Sequence, residues 1–151
     1  MNALNDDIMT QVRESYAYWN GVNRLYSNWA KKYGLTYHSL YTLYAIFHNT
    51  KDCSQKKISD EWLMPKQTVH SILREFDEKQ YIYFEVDEND KRNKVIRLTD
   101  KGKVYAETIL PKLFTIEMKV MERMGNNKRK EMIESNNLFF QLLSEEMEKE
   151  S

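Results

Sequence analysis

Between Pro65 and Gln80 the apolar residues Val69, Ile72, Leu73 and Phe76 fall at i, i+3, i+4 and i+7, which confines them to one stripe of a single amphipathic helix. The opposite face carries Gln67, His70, Ser71 and Arg74 at that same spacing. These are hydrogen-bonding side chains of medium length ending in an obligate cation, the chemistry of base-edge and phosphate contact. Upstream, Ser54 to Met64 reads as a short helix that ends just before Pro65. Proline is tolerated in a first helical turn, where its missing N–H costs nothing. Two helices joined by so tight a turn form a helix-turn-helix. Downstream, Ile82, Phe84 and Val86 alternate with Tyr83 and Glu85, and Val95 to Leu98 alternates again after a polar stretch. That is the pattern of a β-hairpin with a charged loop.

The remainder of the chain reads as helices around this centre. Asp6 to Tyr33 is a long helix with Ile8, Val12, Tyr16, Trp19, Val22, Tyr26, Trp29 and Tyr33 stepping by three or four, and Gly34 stops it. Thr36 is the expected N-cap of a helix over Tyr37 to Phe47, and Ser54 caps the first helix of the helix-turn-helix. Thr99 starts a helix from about Asp100 to Met124, in which Pro111 predicts a kink near Glu107 to Pro111. Gly125, Asn126 and Asn127 form a turn, and Lys128 to about Met147 is the last helix. The expected fold is therefore mainly α, an α+β winged helix-turn-helix with about six helices and a two-stranded hairpin. A chain of 151 residues suits a single domain. Within it, residues 37–99 form the winged helix-turn-helix. The long apolar helices of 1–33 and 100–151 have little left to bury against within the chain, and pairing with a second copy is the expected solution. A two-fold dimer would present two recognition helices to half-sites about one turn of DNA apart.

Net charge argues the other way at first. Lys and Arg number 23, Asp and Glu number 23, and nucleic-acid-binding domains usually carry a basic excess. Distribution matters more than the sum, because steering depends on local potential. Lys56, Lys57, Lys66, Arg74, Lys91, Arg92, Lys94 and Arg97 cluster in the middle of the chain, while the last stretch, SEEMEKES, is acidic. No apolar run is long enough to cross a membrane and the polar start MNALNDD is no signal peptide, so a cytoplasmic protein is expected. The single cysteine, Cys53, excludes an internal disulfide and reads as an inert buried thiol. His38 and His48 fall on different sides of their helix, which argues against a histidine metal site. With no glycine-rich phosphate loop, nucleophile elbow, paired-carboxylate motif or metal-ligand spacing, neither an enzyme nor a cofactor is expected.

With these elements in place, the chain resembles the MarR family of bacterial transcriptional regulators. The pattern D-x-R-x-x-x-[VI]-x-L-T-x-x-G is met by Asp90, Arg92, Ile96, Leu98, Thr99 and Gly102. Gly34 to Thr36 (GLT) and Pro65 to Val69 (PKQTV) match at the starts of the second and recognition helices. The resemblance implies a homodimer, joined through its first and last helices, that binds double-stranded DNA at a near-palindromic operator and is usually a repressor. Carried over by position, Gln67, Thr68, His70, Ser71 and Arg74 would face the major groove and its phosphates. Asp90 would brace the wing, Arg92 would enter the minor groove, and Lys91 and Lys94 would sit on phosphates, with Ser54, Lys56 and Lys66 completing the DNA-facing set. A narrow minor groove concentrates negative potential, which favours a guanidinium there.

The resemblance also implies a small aromatic or apolar effector, near Asn23, Tyr41, Ile109 and Leu113. A zinc-sensing branch would need more histidines, and a peroxide-sensing branch a cysteine early in the first helix; neither is present. Two departures stand out: Gln80 replaces a usual glycine after the recognition helix, and Asp87 and Glu88 add acid to the wing. The rival reading is a winged-helix protein–protein interaction module without DNA sequence specificity, using the tyrosine-rich face of Tyr81 and Tyr83.

Overall fold

The computed structural model describes residues 3–86 and 94–150. Its elements run α1 (Ala3–Lys31), α2 (Tyr37–His48), α3 (Gln55–Glu61), α4 (Lys66–Glu78), β1 (Ile82–Val86), β2 (Lys94–Leu98) and α5 (Asp100–Lys149). The chain divides into two compact units, Met1–Ile109 and Leu110–Ser151. Five helical spans stand where about six were expected, because α5 is assigned as one span despite a break at Gly125.

In the first unit, α4 buries Val69, Ile72, Leu73 and Phe76, the stripe read from sequence, against α2, α3 and the base of β1. From α2 come Leu40, Leu43 and Ile46, and from α3 Ile58. Capping explains where these helices begin. The Ser39 N–H donates to the Thr36 hydroxyl (3.0 Å), the Lys57 N–H to Ser54 (3.2 Å) and the Gly102 N–H to Thr99 (3.0 Å), so the expected N-caps of α2, α3 and α5 all form. Pro65 sits one position earlier than expected. It is the N-cap of α4, with φ −56° and ψ 134°, and α3 closes already at Trp62.

Left-handed residues close three helices. Gly34 (φ +71°) follows α1, Leu63 (φ +49°) follows α3 and Gln80 (φ +59°) follows α4. After α4 the Tyr81 N–H reaches the Phe76 carbonyl and the Gln80 N–H the Asp77 carbonyl, both at 2.8 Å, a Schellman closure. Gln80 thus holds the geometry that glycine adopts without steric cost. In the α3–α4 turn, Ser59 and Met64 bond reciprocally: Oγ to carbonyl at 2.6 Å, N–H to carbonyl at 3.1 Å.

β1 and β2 pair antiparallel, Ile82 opposite Leu98 and Phe84 opposite Ile96. The expected inward face of β1 stops after Ile82, since Phe84 and Val86 are exposed. The strand leaves the helical core there, so alternation in sequence persists without a surface to bury it. At the root, Thr99 donates from its hydroxyl to the Gln80 carbonyl (2.7 Å) and from its N–H to the Tyr81 carbonyl (3.0 Å). A Cβ at Gly102 would fall on that Tyr81 carbonyl, which explains a glycine inside a helix.

The dihedrals of α5 leave the helix at Gly125 (φ +77°, ψ 159°), where a turn was expected, and the span runs on through Pro111. Pro111 is exposed, so the carbonyl its missing N–H leaves unbonded can turn to water, whereas glycine enters the left-handed region freely. In the second unit, Arg129 donates to the Met121 carbonyl across the break (2.7 Å), satisfying a helix-end acceptor. Leu138, Phe140, Leu142 and Leu143 stand exposed there.

Gly102→Ala is expected to lower stability by roughly 3 kcal/mol through overpacking. Gln80→Gly is expected to raise it by up to about 1 kcal/mol by relieving the left-handed strain. Urea unfolding midpoints of the two variants check both signs.

Candidate nucleic-acid interface

The exposed face of α4 presents Gln67, His70, Ser71 and Arg74, as their spacing requires, while Thr68 is half-buried. Two of these groups are already engaged within the helix. The Ser71 hydroxyl donates to the Gln67 carbonyl (3.0 Å), and Arg74 Nε lies 3.2 Å from Glu78 Oε1. The start of α4 has no side-chain cap, which leaves first-turn N–H groups available for an anion.

Beside that helix start lies a surface hollow of about 390 Å³ lined by Ser54, Gln55, Lys56, Lys66, Phe84, Lys94 and Ile96. Gln55 Nε2 donates to the Lys66 carbonyl (3.3 Å) and ties the start of α3 to the start of α4. The Lys94 ammonium stands 5.9 Å from the centre of the Phe84 ring, at the outer range of a cation–π contact. Gln55 and Phe84 were not among the expected site residues. Their only signals in sequence are a position directly after an N-cap and an aromatic flanked by Tyr83 and Glu85 on a strand.

The mid-chain cations divide into two groups. Lys57 pairs with Asp52 at 2.7 Å, Arg74 with Glu78, and Arg97 with Glu85 at 2.8 Å. Hydrogen bonds from Lys57 and Arg97 hold the Asp52 and Glu85 carboxyls below the usual carboxylate range. Lys56, Lys66 and Lys94 have no ion pair among the described residues. Among the described residues, those three lysines contribute unpaired positive charge to this face. Asp90, Lys91 and Arg92, expected in the wing, lie outside the described residues.

The expected effector residues occupy different settings. Asn23 is exposed on α1, and Ile109 is a core residue of the first unit. Tyr41 belongs to an aromatic cluster, with ring centres 4.6 Å from Trp62, 4.7 Å from Tyr37 and 5.9 Å from Tyr26. Leu113 lies in the second unit. Among the described residues, no three His, Cys, Asp or Glu side chains gather as a metal site would require. No helix of the described residues is long and apolar enough to cross a membrane.

A helix-turn-helix followed by a two-stranded wing defines the winged-helix class. Residues 33–93 match the family model described as "MarR family". The HTH-type transcriptional regulator SarZ of Staphylococcus aureus (strain USA300) is 31% identical over 113 residues, 75% of this chain and 73% of that protein. In fold, the chain is similar to NMB1585, a MarR family regulator from Neisseria meningitidis, at a TM-score of 0.76 and 22% identity, with both chains covered fully. It is also similar to S. aureus MepR in a MepR–DNA complex, at a TM-score of 0.68 and 24% identity, covering 85% of this chain and 97% of that one. The chain belongs to the MarR family and is a winged helix-turn-helix transcriptional regulator.

Cys53 is buried beneath β2, where its carbonyl accepts from the Ile96 N–H at 2.8 Å. Burial pushes its thiol up to about 11, so it stays protonated at neutral pH and is a poor nucleophile. Native protein is expected to resist a thiol-specific disulfide reagent at pH 7 and to react fully once unfolded in urea. Rapid modification of the folded protein would contradict the burial.

Proposed function

We propose that the protein binds double-stranded DNA as a homodimer at a near-palindromic operator and acts there as a cytoplasmic repressor. The observation that carries this reading is the exposed polar face of α4 standing next to three lysines that have no ion pair among the described residues. Gln67, His70 and Arg74 have the reach and donors to read base edges in a major groove. Lys56, Lys66 and Lys94 suit phosphates, as do the uncapped amides of α4. Asp90, Lys91 and Arg92 extend the same surface to the minor groove by family resemblance. The DNA in the MepR complex supports a duplex as partner for this fold.

Exposed apolar side chains support the dimer. Ile8 and Met9 in the first half of α1, and Leu138, Phe140 and Leu142 in the second unit, are exposed apolar side chains. Exposed apolar side chains grouped on a helix are the kind of surface that a partner covers. A second copy of the same surfaces would cover them, and a two-fold axis would set two copies of α4 on half-sites. A small aromatic or apolar effector that shifts this dimer between states would find aromatic partners around Tyr41.

Binding to the intergenic duplex upstream of the protein's own gene, compared with scrambled duplex over a series of salt concentrations, tests this reading. Arg74→Ala is expected to cost roughly 1–3 kcal/mol and to blur sequence preference. Lys66→Ala is expected to weaken all sequences alike and to reduce the salt slope by about 1. Glu78→Gln, which removes an anion and frees Arg74, is expected to tighten binding about twofold. Sedimentation is expected to report a dimer, and Leu138→Asp to dissociate it and abolish operator binding. Equal binding to both duplexes at every salt would favour a protein-contact module instead.

A further inference from the structure

We propose that Glu85, Arg97 and the Lys51 carbonyl form a brace that positions the wing for DNA, so that Glu85, an acid on the hairpin, strengthens operator binding. Arg97 is then a positioning residue and not a phosphate contact. The inference rests on the DNA-binding reading above and deepens it.

Hydrophobic packing holds only the inner part of the hairpin, through Ile82, Val95 and Ile96. Beyond Ile82 the β1 side chains are exposed, Phe84 at 42% and Val86 at 63%, and a two-stranded hairpin is marginal in water by itself. Polar contacts tie it further to the helices and the loop before α3. The Ile96 N–H donates to the Cys53 carbonyl at 2.8 Å. One residue on, Arg97 uses both sides of its guanidinium: Nε meets Glu85 Oε2 at 2.8 Å, and Nη2 donates to the Lys51 carbonyl at 3.2 Å. Its side chain is only 26% exposed, less than that of Glu85 at 46%. The cross-strand partner of Arg97 is Tyr83, so the bond to Glu85 runs diagonally and locks the two strands as well as the loop.

The consequence falls on Lys94. The braced loop, Lys51 to Cys53, leads directly into Ser54 and Lys56 at one side of the lysine hollow, and β2 begins with Lys94 at the other. Fixing Arg97 to the loop therefore fixes the distance between lysines that must meet successive phosphates together. An exposed ion pair adds little to stability, so a role in stability would not account for a guanidinium committed at both ends.

The sign of one substitution decides the matter. DNA is a polyanion, so on charge alone Glu85→Gln should tighten binding, as is expected of Glu78→Gln. The brace predicts the opposite. Glu85→Gln and Arg97→Lys are each expected to weaken operator binding about tenfold, the scale of one lost charge-assisted contact, at an unchanged urea midpoint. The salt slope is expected to fall by about 1 in Glu85→Gln, and adding Lys94→Ala to Glu85→Gln is expected to cost little more. Tighter binding by Glu85→Gln, wild-type binding by Arg97→Lys, or additive losses with Lys94→Ala would overturn the proposal while leaving DNA binding by the wild type intact. Amide exchange at Ile96 is the readout without DNA: it should accelerate in both variants, and unchanged exchange would equally overturn the brace.

Discussion

The close approach of Gly102 to the Tyr81 carbonyl is the contact on which the rest of the winged helix depends. Only a residue without a Cβ lets the start of α5 lie against the chain just where α4 turns into β1. Around that point Thr99 bonds Gln80 and Tyr81, and the Lys101 ammonium bonds the Lys79 carbonyl at 2.7 Å. The Tyr105 ring stacks on Tyr81 with centres 4.3 Å apart, and its hydroxyl donates to the Tyr33 carbonyl at 3.1 Å. Burial pushes that hydroxyl up to about 12, which keeps its proton available for the bond. The ends of α1 and α4, the root of the wing and the start of α5 thus meet at one junction.

From this junction the chemistry of the surface follows by subtraction. Equal numbers of acids and bases give a formal net charge of zero, yet the paired groups are not evenly spread. Lys57, Arg74 and Arg97 are each held by a nearby acid, whereas Lys56, Lys66 and Lys94 around one hollow have no ion pair among the described residues. Net charge is a sum over the chain, whereas a phosphate responds to the charges within about a Debye length of it. A neutral protein can therefore present a cationic face.

Local rules were readable wherever neighbours in sequence supply the physics. The buried stripe of α4 and the caps at Thr36, Ser54 and Thr99 depend on residues within one or two turns of each other. The long first helix was readable as a helix, but not in its burial. Ile8 and Tyr16 are exposed, while Tyr26 packs against Tyr41, because only the second half of α1 meets α2. Pro111 and Gly125 were readable: the proline was expected to stay within one helix and the glycine to open a turn, and α5 runs through Pro111 and leaves helical dihedrals at Gly125.

Sequence by itself determined the order of helices and strands, the N-caps at Thr36, Ser54 and Thr99, the polar face of α4 and the family, because each rests on periodicity, on hydrogen bonds a few residues long, or on a motif. Tertiary structure decided which cations stay unpaired, which strand residues leave the core, and how the wing is held. Those outcomes turn on partners far apart in the chain, such as Arg97 with Lys51 and Glu85, or Lys94 with Lys56. Charge type is written in the sequence, but the distance between two charges exists only once the chain has folded.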